Sequence, residues 1–121
     1  MAFKGRGDGT APVPFVAGAA YSAGDVVVLT SGMLGIVVND VASGATGLAH
    51  TQGDFEVAAT SASAILSGEK VVWDSSASAF EDSAFSPATG DVSSGAMAVS
   101  ASGVGVTTVW IRLAQWFGTV A

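Results

Sequence analysis

From residue 15 onward, short runs rich in Val, Ile, Thr and aromatic residues alternate with Gly-, Ser- and Asp-rich breaks about every ten residues. That spacing predicts an all-β domain, a compact β-barrel or sandwich of short strands, because each strand crosses a small core in five or six residues. Residues 25–29 (Asp-Val-Val-Val-Leu) and 33–38 read as two strands, and the short Thr30-Ser31-Gly32 connection predicts a hairpin between them. Further strands are predicted at 46–51 and 55–58, split by Gln52-Gly53-Asp54, and at 70–74, 96–100 and 107–113. In the last run Thr107, Val109, Ile111 and Leu113 alternate with Thr108, Trp110 and Arg112. Successive strand residues point to opposite faces, so the first set is the expected core face. The one helical candidate is residues 61–67, a turn or two ending before Gly68, which suits a helix C-terminus.

Residues 1–14 read differently, as a flexible N-terminal arm. Gly5, Gly7 and Gly9 raise the entropic cost of ordering, and Pro12 and Pro14 cannot donate to a ladder. Gly5-Arg6-Gly7-Asp8-Gly9 contains an Arg-Gly-Asp triplet, for which a turn is the simpler reading than receptor adhesion. The chain thus divides into an arm (1–14), a β domain (15–113) and a C-terminal tail (114–121). Within the domain, Gly24-Asp25-Val26-Val27-Val28-Leu29 recurs as Gly68-Glu69-Lys70-Val71-Val72-Trp73. Either one β unit is repeated, with residues 75–94 inserted in the second copy, or a Gly-acid turn before a strand is used twice.

Composition narrows the function. The 121 residues suffice for one modest core. Only 12% are charged, about half the usual share for a soluble domain. A surface so poor in charge is expected to be partly covered by partners. The net charge is −6, and the only permanent cations are Lys4, Arg6, Lys70 and Arg112. Four scattered cations cannot form the basic stripe that a phosphate backbone requires, so nucleic acid is not an expected partner. There is no cysteine, hence neither disulfides nor a thiolate metal site. No window reaches the roughly 20 apolar residues of a membrane span, and the N-terminal residues lack a signal peptide's apolar stretch. Cytoplasmic synthesis without export and no membrane partner are therefore expected.

No catalytic, cofactor or metal site emerges. Half of the acidic residues follow glycine (Asp8, Asp25, Asp54, Glu69, Asp91), a turn pattern, and the carboxylates are too dispersed for a calcium loop. His50 is the only histidine and no Gly-x-Ser-x-Gly elbow accompanies it, so a structural histidine is the reading. Gly68-Glu69-Lys70-Val71 fails the phosphate-loop frame at both the Gly-Lys step and the hydroxyl. Glu81 and Asp82 are adjacent and would face opposite ways in a strand. No enzyme and no cofactor is expected.

The order of motifs carries more. Gly24-Asp25-Val26-Val27-Val28, Gly35-Ile36-Val37-Val38-Asn39-Asp40, Gly53-Asp54-Phe55-Glu56-Val57, Gly68-Glu69-Lys70-Val71-Val72-Trp73-Asp74 and the closing Thr107-Thr108-Val109-Trp110-Ile111-Arg112-Leu113 follow one another. This series resembles the tailed-phage capsid cement (head decoration) proteins over roughly residues 18–113. The resemblance implies a compact β protein on the capsid exterior of a virion, usually a homotrimer. It further implies a partner, the major capsid protein, whose neighbouring subunits it clamps, and no catalytic residues. Phe3, Lys4 and Arg6 on the arm are the expected capsid-binding residues. Trp116 and Phe117, adjacent large aromatics just before Gly118, are the expected subunit interface. An alternative is a receptor- or carbohydrate-binding β module with Trp73, Trp110 and Trp116 as its platform, against burial of those rings in core or interface.

Overall fold

A computed structural model describes residues 11–60, 64–101, 103 and 107–121. They form ten strands: β1 (Val13–Val16), β2 (Val26–Val28), β3 (Leu34–Val37), β4 (Thr46–His50), β5 (Gln52–Ala58), β6 (Lys70–Asp74), β7 (Ala79–Glu81), β8 (Val92–Ala98), β9 (Thr108–Ala114) and β10 (Thr119–Val120). The order β1-β4-β3-β2 makes a four-stranded antiparallel sheet. A second sheet runs β5-β9-β8-β6-β7, with β10 added on β8. The fold is all-β, and its form is the sandwich: no ladder closes either sheet on itself among the described residues. An isolated bridge, Ala59 to Phe80, brings the end of β5 to β7.

The expected hairpin of β2 and β3 is present, with Val26 opposite Ile36 and Val28 opposite Leu34. These four side chains face the second sheet and join Val57, Trp73, Phe80, Val92, Val109, Ile111 and Leu113 in the main core. Val27 and Val37 point the other way, into a smaller cluster with Ala17, Val41 and Ala49. Both faces of the hairpin are therefore covered, which is why its sequence is continuously apolar instead of alternating. On β9 the expected face is the core face for Val109, Ile111 and Leu113, each at most 2% exposed, whereas Thr107 precedes the strand and is exposed.

Several boundaries differ from the sequence reading. Val13 and Pro14, read there as the end of the arm, lie in β1 and pair with Ala49 and Leu48. Gln52, Gly53 and Asp54 are no turn: they belong to β5, where Asp54 sits opposite Arg112. The chain instead changes sheets at Thr51, whose carbonyl and hydroxyl accept hydrogen bonds from the Gln115 backbone N–H (3.1 Å) and side-chain amide (3.2 Å). Residues 64–67 form no helix, and residues 61–63 lie outside the described residues. Ile65 there is a core residue at 1% exposure. The helical element among the described residues is a 3-10 turn, Thr30–Gly32, inside the β2–β3 connection. Residues 75–94, read as an insertion, contribute β7 and the start of β8.

The Gly-acid motif has a common geometry. Ser22/Asp25, Leu66/Glu69 and Ala88/Asp91 each close a four-residue turn by a backbone hydrogen bond of 3.0, 3.1 and 2.9 Å. Gly24, Gly68 and Gly90 hold the third position with φ of 92°, 88° and 92°, the left-handed value that a type II turn demands. In each, the acid's carboxylate accepts the first residue's N–H, at 2.8, 2.8 and 2.9 Å. Three uses of one turn, two of them ahead of β2 and β6, account for the recurring sequence by turn chemistry alone.

Candidate functional site

The tail is the first candidate surface. After β9 the chain leaves the edge of β8 at Gln115, whose φ is 60°, and returns as β10 to pair Thr119 with Ser93 and Val120 with Val92. Since β9 pairs Arg112 with Met97 on the same β8, β9 and β10 occupy successive stretches of one edge. The detour between them reaches across to the first sheet. Phe117 bridges to Met33, and the Gly118 N–H donates to the Gly32 carbonyl at 3.1 Å. The two glycines meet backbone to backbone: a Cβ on Gly32 would lie 2.5 Å from the Gly118 carbonyl oxygen. One on Gly118 would lie 2.5 Å from Val92 Cγ1 and 2.7 Å from the Ser93 carbonyl oxygen. The tail backbone is thus fastened to its own chain's sandwich, while its side chains face outward: Trp116 is 40% exposed, Phe117 67% and Val120 50%. The aromatic pair was legible in the sequence; the glycine contact that presents it was not.

The second candidate is the outer face of the second sheet. Along β9 the residues between the core positions are Thr108, Trp110 and Arg112. Arg112 is clamped to Asp54 across the strand pair by two hydrogen bonds, Nε to Oδ1 at 2.7 Å and the guanidinium NH2 to Oδ2 at 3.0 Å. That guanidinium holds the Asp54 carboxyl below the usual carboxylate range, and the Asp54 carboxylate raises the pKa of Arg112 in return. Trp110, 46% exposed, lies beside this pair and opposite Glu56. The three tryptophans do not form one platform: Trp73 is buried against Phe80, ring centroids 5.1 Å apart.

A third surface was not anticipated. Pro14 and Leu48 are opposite each other in the β1–β4 pair, and Val16 follows two residues along the same face. Val16 is 73% exposed and Leu48 42%. This end of the first sheet carries apolar side chains with nothing packed over them among the described residues. Phe3, Lys4 and Arg6 lie outside the described residues.

The titratable groups serve structure. Asp91, nearly fully buried, accepts from Ala88 N, Ser75 N and Ser75 Oγ, and these bonds, the Ala88 one foremost, lower its pKa. The same chemistry lowers Glu69, chiefly through the Leu66 N–H and then Ser83. Asp74 Oδ1 accepts from Ser76 N, Ser76 Oγ and Ala77 N, closing the β6–β7 turn. Glu81 is pushed up by burial first, and the neighbouring Asp74 carboxyl adds to that shift. His50 stacks on Phe55 with centroids 5.9 Å apart. Among the described residues no three His, Asp or Glu side chains converge as metal ligands, and no helix is long and apolar enough to cross a membrane.

A search of curated proteins found no match. A family model described as phage cement protein matches residues 5–113, most of the arm-proximal segment and the whole β domain up to Leu113. The chain belongs to the phage cement protein family.

Proposed function

We propose that this structural protein of the phage capsid is a head decoration protein that binds the capsid exterior and clamps neighbouring major capsid subunits. Family membership over residues 5–113 carries the reading. The structure supports it in two respects, and the sequence adds a third. The sandwich buries apolar side chains on both faces of its β2–β3 hairpin, which suits a well-packed body. The exposed apolar side chains, Val16, Leu48, Trp116 and Phe117, sit on short, well-tethered elements and suit burial by partner protein. The arm ahead of β1 carries Phe3, Lys4 and Arg6, an aromatic and two of the four cations.

In this proposal the subunits form a homotrimer in which Trp116 and Phe117 pack across the subunit interface, and Phe3, Lys4 and Arg6 contact the capsid. Ordering one arm costs conformational entropy, so a single arm binds weakly. Several arms on one oligomer, engaged with adjacent capsid subunits, gain through effective concentration. Synthesis in the host cytoplasm followed by addition to the head completes the proposal. The test is attachment of purified protein to heads that lack it, followed by sedimentation: saturable co-sedimentation supports the reading, and protein left in the supernatant at micromolar concentration refutes it.

A further inference from the structure

At one side of the sandwich the edge strands of the two sheets, β2 and β5, share a cleft of about 500 Å³. The core residues Val57 and Trp73 form its floor, and Tyr21 lines it half-buried. Asp25 lines it from the first sheet and Glu56 from the second, both exposed. Each carboxylate has one oxygen in use: Asp25 Oδ2 accepts the Ser22 N–H at 2.8 Å, and Glu56 Oε2 accepts the Thr108 hydroxyl at 3.3 Å. Asp25 Oδ1 and Glu56 Oε1 have no donor among the described residues, and no Lys or Arg lines the cleft. Two carboxylates from facing sheets, with no cation between them, favour a positively charged ligand. The neighbouring aromatic ring favours a guanidinium, which forks onto carboxylates and stacks on aromatic faces, over the point charge of an ammonium.

The main chain of both walls is open as well. The Ala59 N–H donates to Thr107, so Phe55, Val57 and Ala59 direct their backbone groups toward β9, and Glu56 directs its N–H and C=O to the free edge. On β2 the Leu29 N–H and the Asp25 carbonyl are spent on β3, which turns the Val26 groups outward. Short of the Ala59–Phe80 bridge, no strand pairs with either edge among the described residues. Unpaired strand edges beside a side-chain pocket are the recognition surface for an extended polypeptide: the edge bonds the main chain and the pocket selects the side chain. A second copy of the sandwich is a poor source of that segment. Its cations among the described residues, Lys70 and Arg112, lie on β6 and β9, interior strands of their sheet, and Arg112 is already clamped to Asp54.

We propose that this cleft docks an extended segment of a different protein, with an arginine side chain held between Asp25 and Glu56 against Tyr21, and with the segment's main chain bonded to the outward groups of Glu56 and Val26. One such contact is weak by itself, because the two carboxylates are exposed and the pairing is screened. Repetition on adjacent sites of a lattice makes it effective. A neighbouring capsid subunit is the source of the segment; that assignment alone rests on the function proposed above.

The test titrates the peptide acetyl-Thr-Val-Arg-Val-Thr-amide into the full chain and reads amide NMR shifts, beside a counterpart with glutamate in place of arginine. The expected result is saturable shifts at Val26, Glu56 and Ala58, with a dissociation constant about tenfold or more lower for the arginine peptide than for its counterpart. Glu56→Gln keeps the shape of this exposed side chain and an oxygen for the Thr108 hydroxyl, and should weaken the arginine peptide about fivefold or more. Absent shifts, equal affinity for the two peptides, or unchanged affinity in Glu56→Gln overturns the proposal. The same shifts appearing when the protein alone is concentrated would assign the cleft to another copy and overturn it too. Head attachment reads the source separately. Glu56→Gln attaching like the parent, while its peptide binding is weakened, refutes a capsid subunit as the source of the segment; a parent protein that fails to attach refutes the head-binding reading and leaves the cleft to the peptide result.

Discussion

Replacing Gly118 by Ala tests whether the tail is built into the sandwich by a glycine-to-backbone contact. The new methyl would lie 2.5 Å from Val92 Cγ1, 2.7 Å from the Ser93 carbonyl oxygen and 3.1 Å from the Gly95 nitrogen. Ordinary carbon contacts lie near 3.5–4.0 Å, so something must move by about 1 Å or more. Val92 is fully buried and Ser93 and Gly95 are strand backbone, so the tail is the part that yields. Its displacement strains the Gly118 to Gly32 hydrogen bond, the β10–β8 pairing, and the two bonds that join Ala121 to Gly90 and Asp91. Overpacking of this kind costs about 1–3 kcal/mol. Full release of the tail is the ceiling, at roughly 0.5–1.5 kcal/mol net for each hydrogen bond lost. At this chain length 1 kcal/mol moves the thermal midpoint by roughly 3–6 °C. The assay is thermal unfolding at one fixed protomer concentration, since association shifts the midpoint, with amide exchange at Val120 and Ala121 alongside. Gly18→Ala is the control, because nothing lies within 4 Å of its added methyl. An unchanged midpoint together with unchanged exchange at Val120 and Ala121 would refute the reasoning.

Other substitutions probe different parts of the account. Glu81 has a raised pKa, so its burial favours the folded state below the unfolded carboxyl value and opposes it as pH rises through the folded one. Glu81→Gln is therefore expected to raise the urea midpoint at pH 8 and to matter little near pH 4; destabilisation at pH 8 would contradict that sign. Asp91 and Glu69 are lowered, so their contribution is present above the unfolded value and is lost as pH falls toward the folded one. Asp91→Asn should lower stability at pH 7 and converge with the parent protein as pH falls through the lowered folded value of Asp91; a gap that persists in acid below that point would place the effect in packing. Removing residues 1–10 should leave a cooperative thermal transition and abolish head attachment, and loss of that transition would put the arm inside the fold. Trp116→Ala with Phe117→Ala should lower the oligomer mass in sedimentation, because about 1.5–3 kcal/mol of burial per ring is at stake; unchanged mass and unchanged head occupancy would remove the tail from assembly.

The strands that were legible in the sequence are those whose own residues decide them. The β2–β3 hairpin and β9 carry long β-branched runs, and the β9 alternation identifies its core face from Val109 to Leu113. Strands held by what lies across from them were not legible. Gln52-Gly53-Asp54 has turn composition, yet it stays extended because Asp54 meets Arg112 from β9, 58 residues later. β7 is three residues long and pairs only because β6 lies beside it. Residues 64–67 have helix-compatible composition, but burying Ile65 in the core overrides that weak local preference. At the candidate surfaces, Trp116 and Phe117 stood out as adjacent aromatics, whereas the exposure of Val16 and Leu48 depends on where the second sheet ends, a tertiary fact. The three Gly-acid turns show the converse. Glycine at positive φ followed by an acid that caps the turn is a local device, and its sequence signature reads directly as structure.

The central claim is attachment to the capsid exterior, and a reconstruction of the phage head with and without this protein tests it most directly. The account expects added density on the outer surface, into which the two-sheet body fits, contacting at least two neighbouring major capsid subunits and vanishing from heads made without it. Density confined to the tail or the head interior, or heads identical in the two preparations, would contradict it.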